Sequence, residues 1–249
     1  MAEALWFWVA GLAVLGLIFG SFIATVVVRW PQARSALKGR SECDGCGKPL
    51  RAAELIPLLS FALQRGRCRE CGRRIDAIHP LCEALGLIIG LSAGVAVPGW
   101  PGAAGAVFGW LLLLLGTLDL RAFWLPNVLT GALALAGIGA GLAGLPPAIE
   151  DRLIGGAAGF ACLWFIALVY RRTRGREGLG GGDAKLLGAI GLWLGWRDLP
   201  MLVLVACMIG LIAVVAQMLR GRTVSATTQL PLGTLLALAA YSLWLTASH

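Results

Sequence analysis

The chain has 249 residues, of which 58% are hydrophobic and only 14% charged, and its mean hydropathy is +0.81. A soluble domain of this length has no interior able to hide so many apolar side chains, so the composition points to the bilayer as solvent. The net charge of +8 would suit a nucleic-acid partner, but its placement along the chain argues against one.

Runs of roughly 17 to 25 apolar residues read as membrane spans. There are eight: near 5–28, 81–99, 103–119, 127–146, 153–170, 183–197, 200–219 and 229–247. The expected fold is an all-α polytopic membrane protein of about eight transmembrane helices, with one small soluble domain between the first two. Three parts follow: a first transmembrane helix, 1–28; a cytoplasmic loop domain, 29–80; and a membrane-embedded domain of about seven helices, 81–249. The first run does not read as a cleavable signal, because no basic segment precedes it and it is too long for a signal core. If that helix runs outside to inside, the Lys and Arg of 29–80 share one side with those at 121, 171–176, 185 and 220–222. Of the 21 basic residues, only Arg152 and Arg197 then fall on the other side. The positive-inside rule makes the basic side cytoplasmic and leaves both termini outside. The charge thus reports orientation and contact with anionic membrane lipids, with no nucleic acid implied.

The loop carries CDGC (Cys43, Cys46) and CREC (Cys68, Cys71), each followed by Gly and a basic residue, as CGKPL and CGRRI. Two such knuckles can place four thiolates around one ion, with the glycine permitting a tight turn that aims N–H groups at sulfur. That pattern reads as a structural Zn2+ site with four cysteine ligands. Two disulfides are the alternative, though they rarely persist in a reducing cytoplasm. Bound metal would supply folding energy to a segment with few large apolar side chains. A four-sulfur site has no open position, so it holds the loop together and does not catalyse. Cys82, Cys162 and Cys207 stand singly in apolar runs and are expected to be small buried hydrophobes.

Three acids lie at span boundaries: Glu83, Asp119 and Asp183. Asp119 ends the third span, which runs inward, and Asp183 begins the sixth span at the same boundary. Topology alone therefore brings two aspartates from different helices to one depth. Each taken singly could be a helix-end acid, Asp183 favoured by the helix dipole and Asp119 paired with Arg121. As a pair they suit proton-transfer chemistry. Two carboxylates a few ångströms apart tend to share one proton, so one can deprotonate an attacking water while the other protonates the developing oxyanion. Beside Asp183, Gly180 and Gly182 would let an extended peptide approach closely. Lys185 could bias Asp183 toward ionisation or reach the cytoplasmic surface along its own stem. Glu83 could recognise an amine or a basic peptide, or pair with a loop arginine. With only His79 and His249 in the chain, no Ser–His or Cys–His constellation competes.

These residues, in this order, resemble the type IV prepilin peptidases. The resemblance is carried by GSFIATVVVRWP, the two CxxC knuckles, LIPLLSF, GRCRECG, HPLCEALG, DLRAFWLPNVLT and GLGGGDAKLLGAIGLWLGW. It implies a GxGD-type membrane aspartic protease in which Asp119 and Asp183 are the catalytic pair, Gly180 and Gly182 the motif glycines, and Cys43, Cys46, Cys68 and Cys71 the zinc ligands. It further implies cleavage of a basic leader from prepilins and type II secretion pseudopilins at the cytoplasmic face of the inner membrane. Methylation of the new N-terminus with S-adenosyl-L-methionine follows in that family. Three positions depart from the family pattern: Ala24 replaces an asparagine, His79 a tyrosine, and PLGT at 231–234 stands for PFGP. None is expected to touch the aspartates. No dinucleotide-type glycine fingerprint locates the S-adenosylmethionine. A peptidase without methyltransferase activity, like the preflagellin enzymes, is the nearest alternative, although those shorter relatives lack the zinc loop. A proton or ion transporter would want its acids near the midplane, among broken helices. A scaffold binding partners through the zinc loop gives no reason for two acids at matched depth.

Overall fold

The computed structural model describes residues 2–36, 39–175, 178–221 and 229–247. Lys38, Arg176, Arg222 and the terminal residues Met1 and His249, which enter the charge and topology reading, lie outside them. Among the described residues there is no β-strand, only two isolated antiparallel bridges, Glu42 with Pro49 and Arg67 with Arg74. The α-helices are α1 Ala2–Arg29, α2 Leu59–Leu63, α3 Ile78–Ala96, α4 Trp100–Ala122, α5 Asn127–Leu142, α6 Ile149–Arg174, α7 Gly181–Leu194, α8 Leu199–Leu219 and α9 Leu232–Ala247. The chain divides into two compact units, Met1–Ala106 and Val107–His249.

All eight apolar runs become helices, and five of these (α1, α3, α4, α6 and α8) are long and apolar enough to cross a membrane. The other three are shorter: α5 and α9 have 16 residues and α7 has 14. At 1.5 Å per residue they reach about 24 and 21 Å, against an apolar layer of about 30 Å. Backbone breakers explain the shortening. α5 stops before Gly144, whose φ is +78°, and α7 stops at Gly195, whose φ is +79°. α9 begins only after Pro231, a residue that cannot donate to a preceding turn. Hydropathy runs straight through all three breakers, and the helices do not.

In the first unit, α1 and α3 pack with their backbones in contact. A Cβ on Gly86 would stand 2.2 Å from the Gly16 carbonyl oxygen, one on Gly90 2.0 Å from that of Leu12, and one on Gly20 2.4 Å from that of Cys82. Gly86, Gly90 and Gly94 recur at four-residue spacing, so they fall on one face of α3. This small-residue seam is how helices approach when no hydrophobic drive separates lipid from protein.

In the second unit, α6 meets α7 in the same way, Gly155 against Gly191 with a Cβ on Gly191 only 2.2 Å from the Gly155 carbonyl oxygen. Trp193 of α7 donates its indole N–H to the Leu133 carbonyl at 2.8 Å and stacks on Phe108, ring centroids 4.7 Å apart. Arg152 closes one end of this unit. It is 1% exposed, and its guanidinium donates to the carbonyls of Gly137, Leu145, Pro146, Pro147 and Leu192 at 2.7–3.2 Å. A planar five-donor head can satisfy a cluster of carbonyls left at helix ends, which a lysine could not.

Cys82 is fully buried, as expected, but Cys162 and Cys207 are exposed. Both sit on outward faces of apolar helices, and composition cannot separate a lipid-facing position from a protein-facing one when both surroundings are apolar.

Candidate active site and metal centre

Within the second unit, Asp119 lies in the last turn of α4 and Asp183 in the first turn of α7. They share one end of the unit and are close enough for the charge of one to act on the other. Asp119 is 5% exposed, whereas Asp183 is half-buried. Leu125, in the α4–α5 connection, packs against the first turns of both α7 and α9. A Cβ on Gly182 would stand 2.9 Å from the Leu125 Cβ, and one on Gly233 3.1 Å from the Leu125 Cδ1.

Asp119 is held by the first turn of α9. The Thr234 N–H donates to Asp119 Oδ2 at 2.9 Å, and the Thr234 hydroxyl lies 3.3 Å from the same oxygen and 2.7 Å from the Gly116 carbonyl. A Cβ on Gly233 would stand 3.0 Å from the Asp119 Cγ, so only glycine lets α9 come this close. PLGT therefore does touch an aspartate, contrary to the expectation from the sequence. Residue type alone carried no sign of it: the contact spans 115 positions, and a threonine opening an apolar helix reads as an ordinary end residue.

The glycines before Asp183 divide their work. Gly180, in extended conformation at the N-cap of α7, stands where a Cβ would approach Asp183 Oδ2 to 3.1 Å, Gly182 makes room for Leu125, and only Gly181 faces open space. Lys185 is exposed and donates to Asn127 Oδ1 at 2.7 Å. Its ammonium is thus engaged by the start of α5. Together with Thr130, Phe160 and Gly188 the two residues line an open groove of about 480 Å³.

In the first unit, the ligand atoms of Cys43, Cys46, Cys68 and Cys71 all lie within 4.8 Å of one another, and all four cysteines are free thiols. A tetrahedral zinc with 2.3 Å bonds needs sulfurs about 3.8 Å apart; the Cys43 and Cys71 sulfurs are 3.9 Å apart, far from the ~2.05 Å of a disulfide. The two knuckles repeat one backbone design. The Gly47 N–H donates to the Cys43 carbonyl at 2.8 Å and the Cys43 N–H to that of Lys48 at 3.0 Å; Gly72, Cys68 and Arg73 do the same at 3.0 and 2.9 Å. Gly47 and Gly72 have φ of +70° and +68°, the left-handed turn that glycine adopts without steric cost. The N–H groups of Cys71 and Glu70 draw the Cys68 thiol down to about 7, easing the deprotonation that metal binding requires. A Lys48–Glu70 ion pair ties one knuckle to the other. The tetrad is a site able to bind a metal ion.

Glu83 also belongs to the first unit. It is 7% exposed and accepts the Leu58 N–H on Oε2 at 2.8 Å, so its partner is the loop backbone and not a loop arginine. Leu58 lies in the LIPLLSF stretch with φ of +58°. Glu83 lines a cavity of about 570 Å³ between α1, the loop and the start of α3.

Known proteins match the chain along most of its length. Residues 14–97 match the Bacterial Peptidase A24 N-terminal domain, and residues 106–215 match the Type IV leader peptidase family. A prepilin leader peptidase/N-methyltransferase of Burkholderia pseudomallei (strain K96243) is 39% identical, over 84% of this chain and 76% of that protein. Proteins of the same name from Klebsiella pneumoniae and Dickeya chrysanthemi are 37% and 39% identical. They cover 80% and 83% of this chain, and 90% and 81% of their own lengths. No solved structure matches. With paired carboxylates, a tetracysteine knuckle domain and relatives of this similarity, the chain belongs to the type IV leader peptidase family.

Proposed function

We propose that the chain is a prepilin peptidase that cleaves basic leaders from type IV prepilins and pseudopilins and then methylates the new N-terminus. The observation that carries the peptidase half is the approach of Asp119 and Asp183 from two helices at one end of the second unit. A water between them loses its proton to one carboxylate as it attacks the scissile carbonyl. The other carboxylate, protonated beforehand, donates to the carbonyl oxygen as negative charge develops. Collapse of the tetrahedral intermediate then moves the first proton to the departing amine. The peptide approaches over Gly181, the open position between Gly180 and Gly182, and Lys185 stands at the edge of the neighbouring groove on the substrate side.

As a member of this family with five long apolar helices, the chain is a multi-pass protein of the inner membrane. We place the knuckles and the aspartates on the cytoplasmic side and both termini outside, because that orientation leaves only Arg152 and Arg197 of the basic residues on the outer side. Anionic lipids then meet the basic face, and nucleic acid has no role. The functional parts are the first helix, 1–28, the knuckle domain, 29–80, and the peptidase domain, 81–249. The metal is zinc: four thiolates at near-tetrahedral spacing suit it, and it would hold the knuckles without taking part in hydrolysis. The methyl donor is S-adenosyl-L-methionine. The knuckle domain favours the bifunctional reading over a peptidase acting alone.

Purified enzyme would be mixed with a prepilin peptide, and wild type compared with Asp119→Asn and Asp183→Asn. Each variant should lose cleavage by at least about 10³-fold, the scale of removing a proton-transfer group and its charge. Cleavage near the wild-type rate by either one would sink the dyad.

A further inference from the structure

We infer that the 570 Å³ cavity of the first unit is the binding site for S-adenosylmethionine, with Glu83 facing its positive charge. The inference rests on the methyltransferase reading above and gives that reading a place in the fold.

The strongest pointer is Glu83 itself. A carboxylate 7% exposed is costly to hold charged without a cation or a full set of donors. Among the described residues its carboxylate accepts one hydrogen bond, from the Leu58 N–H on Oε2. Among the described residues no Lys or Arg forms an ion pair with it. The loop holds the carboxylate by Oε2, and Glu83 lines the cavity, so a cation bound there meets its charge. A buried anion open on one side to a cavity is arranged to receive a cation.

The remaining walls fit the rest of such a ligand. The volume lies within the range of small-molecule sites. Phe61 offers an aromatic wall, and it is fixed in place: a Cβ on Gly66 would stand 2.9 Å from its ring, and Gly66 has φ of +67°. Arg29, 8% exposed, lines the same cavity and can meet a carboxylate; its Nη2 is 3.8 Å from Glu42. Ser21 and Thr25, one turn apart on α1, add hydroxyls. A sulfonium, an α-amino group, a carboxylate and an adenine ring each find a complementary group. When bound, S-adenosylmethionine supplies a methyl group: the amine lone pair forms the new C–N bond as the C–S bond breaks, and the sulfonium leaves as a neutral thioether. The substrate amine must first lose its proton, and a carboxylate beside the sulfonium can take it.

Equilibrium dialysis of the full-length enzyme tests this without any turnover. Affinity for S-adenosylmethionine and for uncharged-sulfur S-adenosylhomocysteine would be measured for wild type and Glu83→Gln, with melting and metal content as folding controls. Glutamine still accepts the Leu58 N–H, so the loop keeps its anchor. Glu83→Gln should weaken S-adenosylmethionine at least tenfold and the homocysteine by less than about threefold. Equal weakening of both, or no change in either, overturns the assignment of Glu83. Phe61→Ala should weaken both ligands at least fivefold, and unchanged binding there overturns the cavity as the site. A wild-type enzyme that binds neither ligand overturns the methyltransferase reading itself.

Discussion

Arg152→Met removes the guanidinium while keeping most of the stem's bulk. Of the five carbonyls it serves, Leu145, Pro146 and Pro147 lie between α5 and α6, and Leu192 lies in the last turn of α7, where helix carbonyls have no ladder partner. Gly137 sits inside α5 and keeps its own helical donor. Four part-buried acceptors would therefore lose their donor, at up to about 1 kcal/mol each where water cannot replace it. No longer burying an unpaired cation offsets part of this, as does any water that enters. Breaking a buried charged network usually costs about 3–5 kcal/mol, and we expect a loss in that range. For a unit of this size roughly 2–4 °C accompanies each kcal/mol, so the detergent-solubilised protein should melt about 10 °C lower. Arg152→Lys, with three donors on a compact head, should fall between the two. Differential scanning fluorimetry on the ten tryptophans reads the shift directly. If Arg152→Met melts within about 2 °C of wild type, the carbonyl cluster does not depend on the arginine and the argument is wrong.

Two further outcomes follow from the site geometry. Serine at Cys68 should release about one zinc per chain by elemental analysis, because three thiolates close a tetrahedral site poorly; full retention would show that the tetrad is not the metal site. Thr234→Val keeps the shape and the N–H but drops the hydroxyl beside Asp119. It should lower kcat for peptide cleavage by up to about tenfold, because the single hydroxyl proton is shared between the Gly116 carbonyl at 2.7 Å and the Asp119 carboxylate at 3.3 Å, while Thr234→Ser stays within about threefold. Equal kcat for Thr and Val would reduce Thr234 to packing.

Much of the site was legible in the sequence because it depends on local spacing. The knuckles declare themselves through CxxC followed by glycine, and the turns at Gly47 and Gly72 are built as that pattern requires. The aspartates could be paired because alternating spans fix which ends share a side. What hydropathy could not show was where apolar runs break or which faces are covered. It missed the shortening of α5 and α9, the outward Cys162 and Cys207, and the burial of Arg152, which counts as a surface charge until its five carbonyls are seen. Thr234 was hidden for a related reason, since its importance lies wholly in a contact between two helices far apart in the chain.

The charge on the aspartate pair has to be held by something, and the structure favours helix ends over a cation. Asp183 sits in the first turn of α7, and Asp119 receives the N–H of Thr234 from the first turn of α9. The amino ends of helices carry about half a positive charge each, and dipoles fixed in advance need no reorganisation when charge develops. Because α7 and α9 are only 14 and 16 residues long, these ends are not obliged to reach the same level as the ends of longer neighbours. Lys185, the obvious counter-ion in the sequence, instead spends its ammonium on Asn127. Lys185→Gln should therefore leave kcat for peptide cleavage within about threefold of wild type, with any change confined to KM as the neighbouring groove loses its charge. A hundredfold fall in kcat would mean about 2.7 kcal/mol of transition-state stabilisation came from the lysine, and the helix ends would not be the groups that hold the charge.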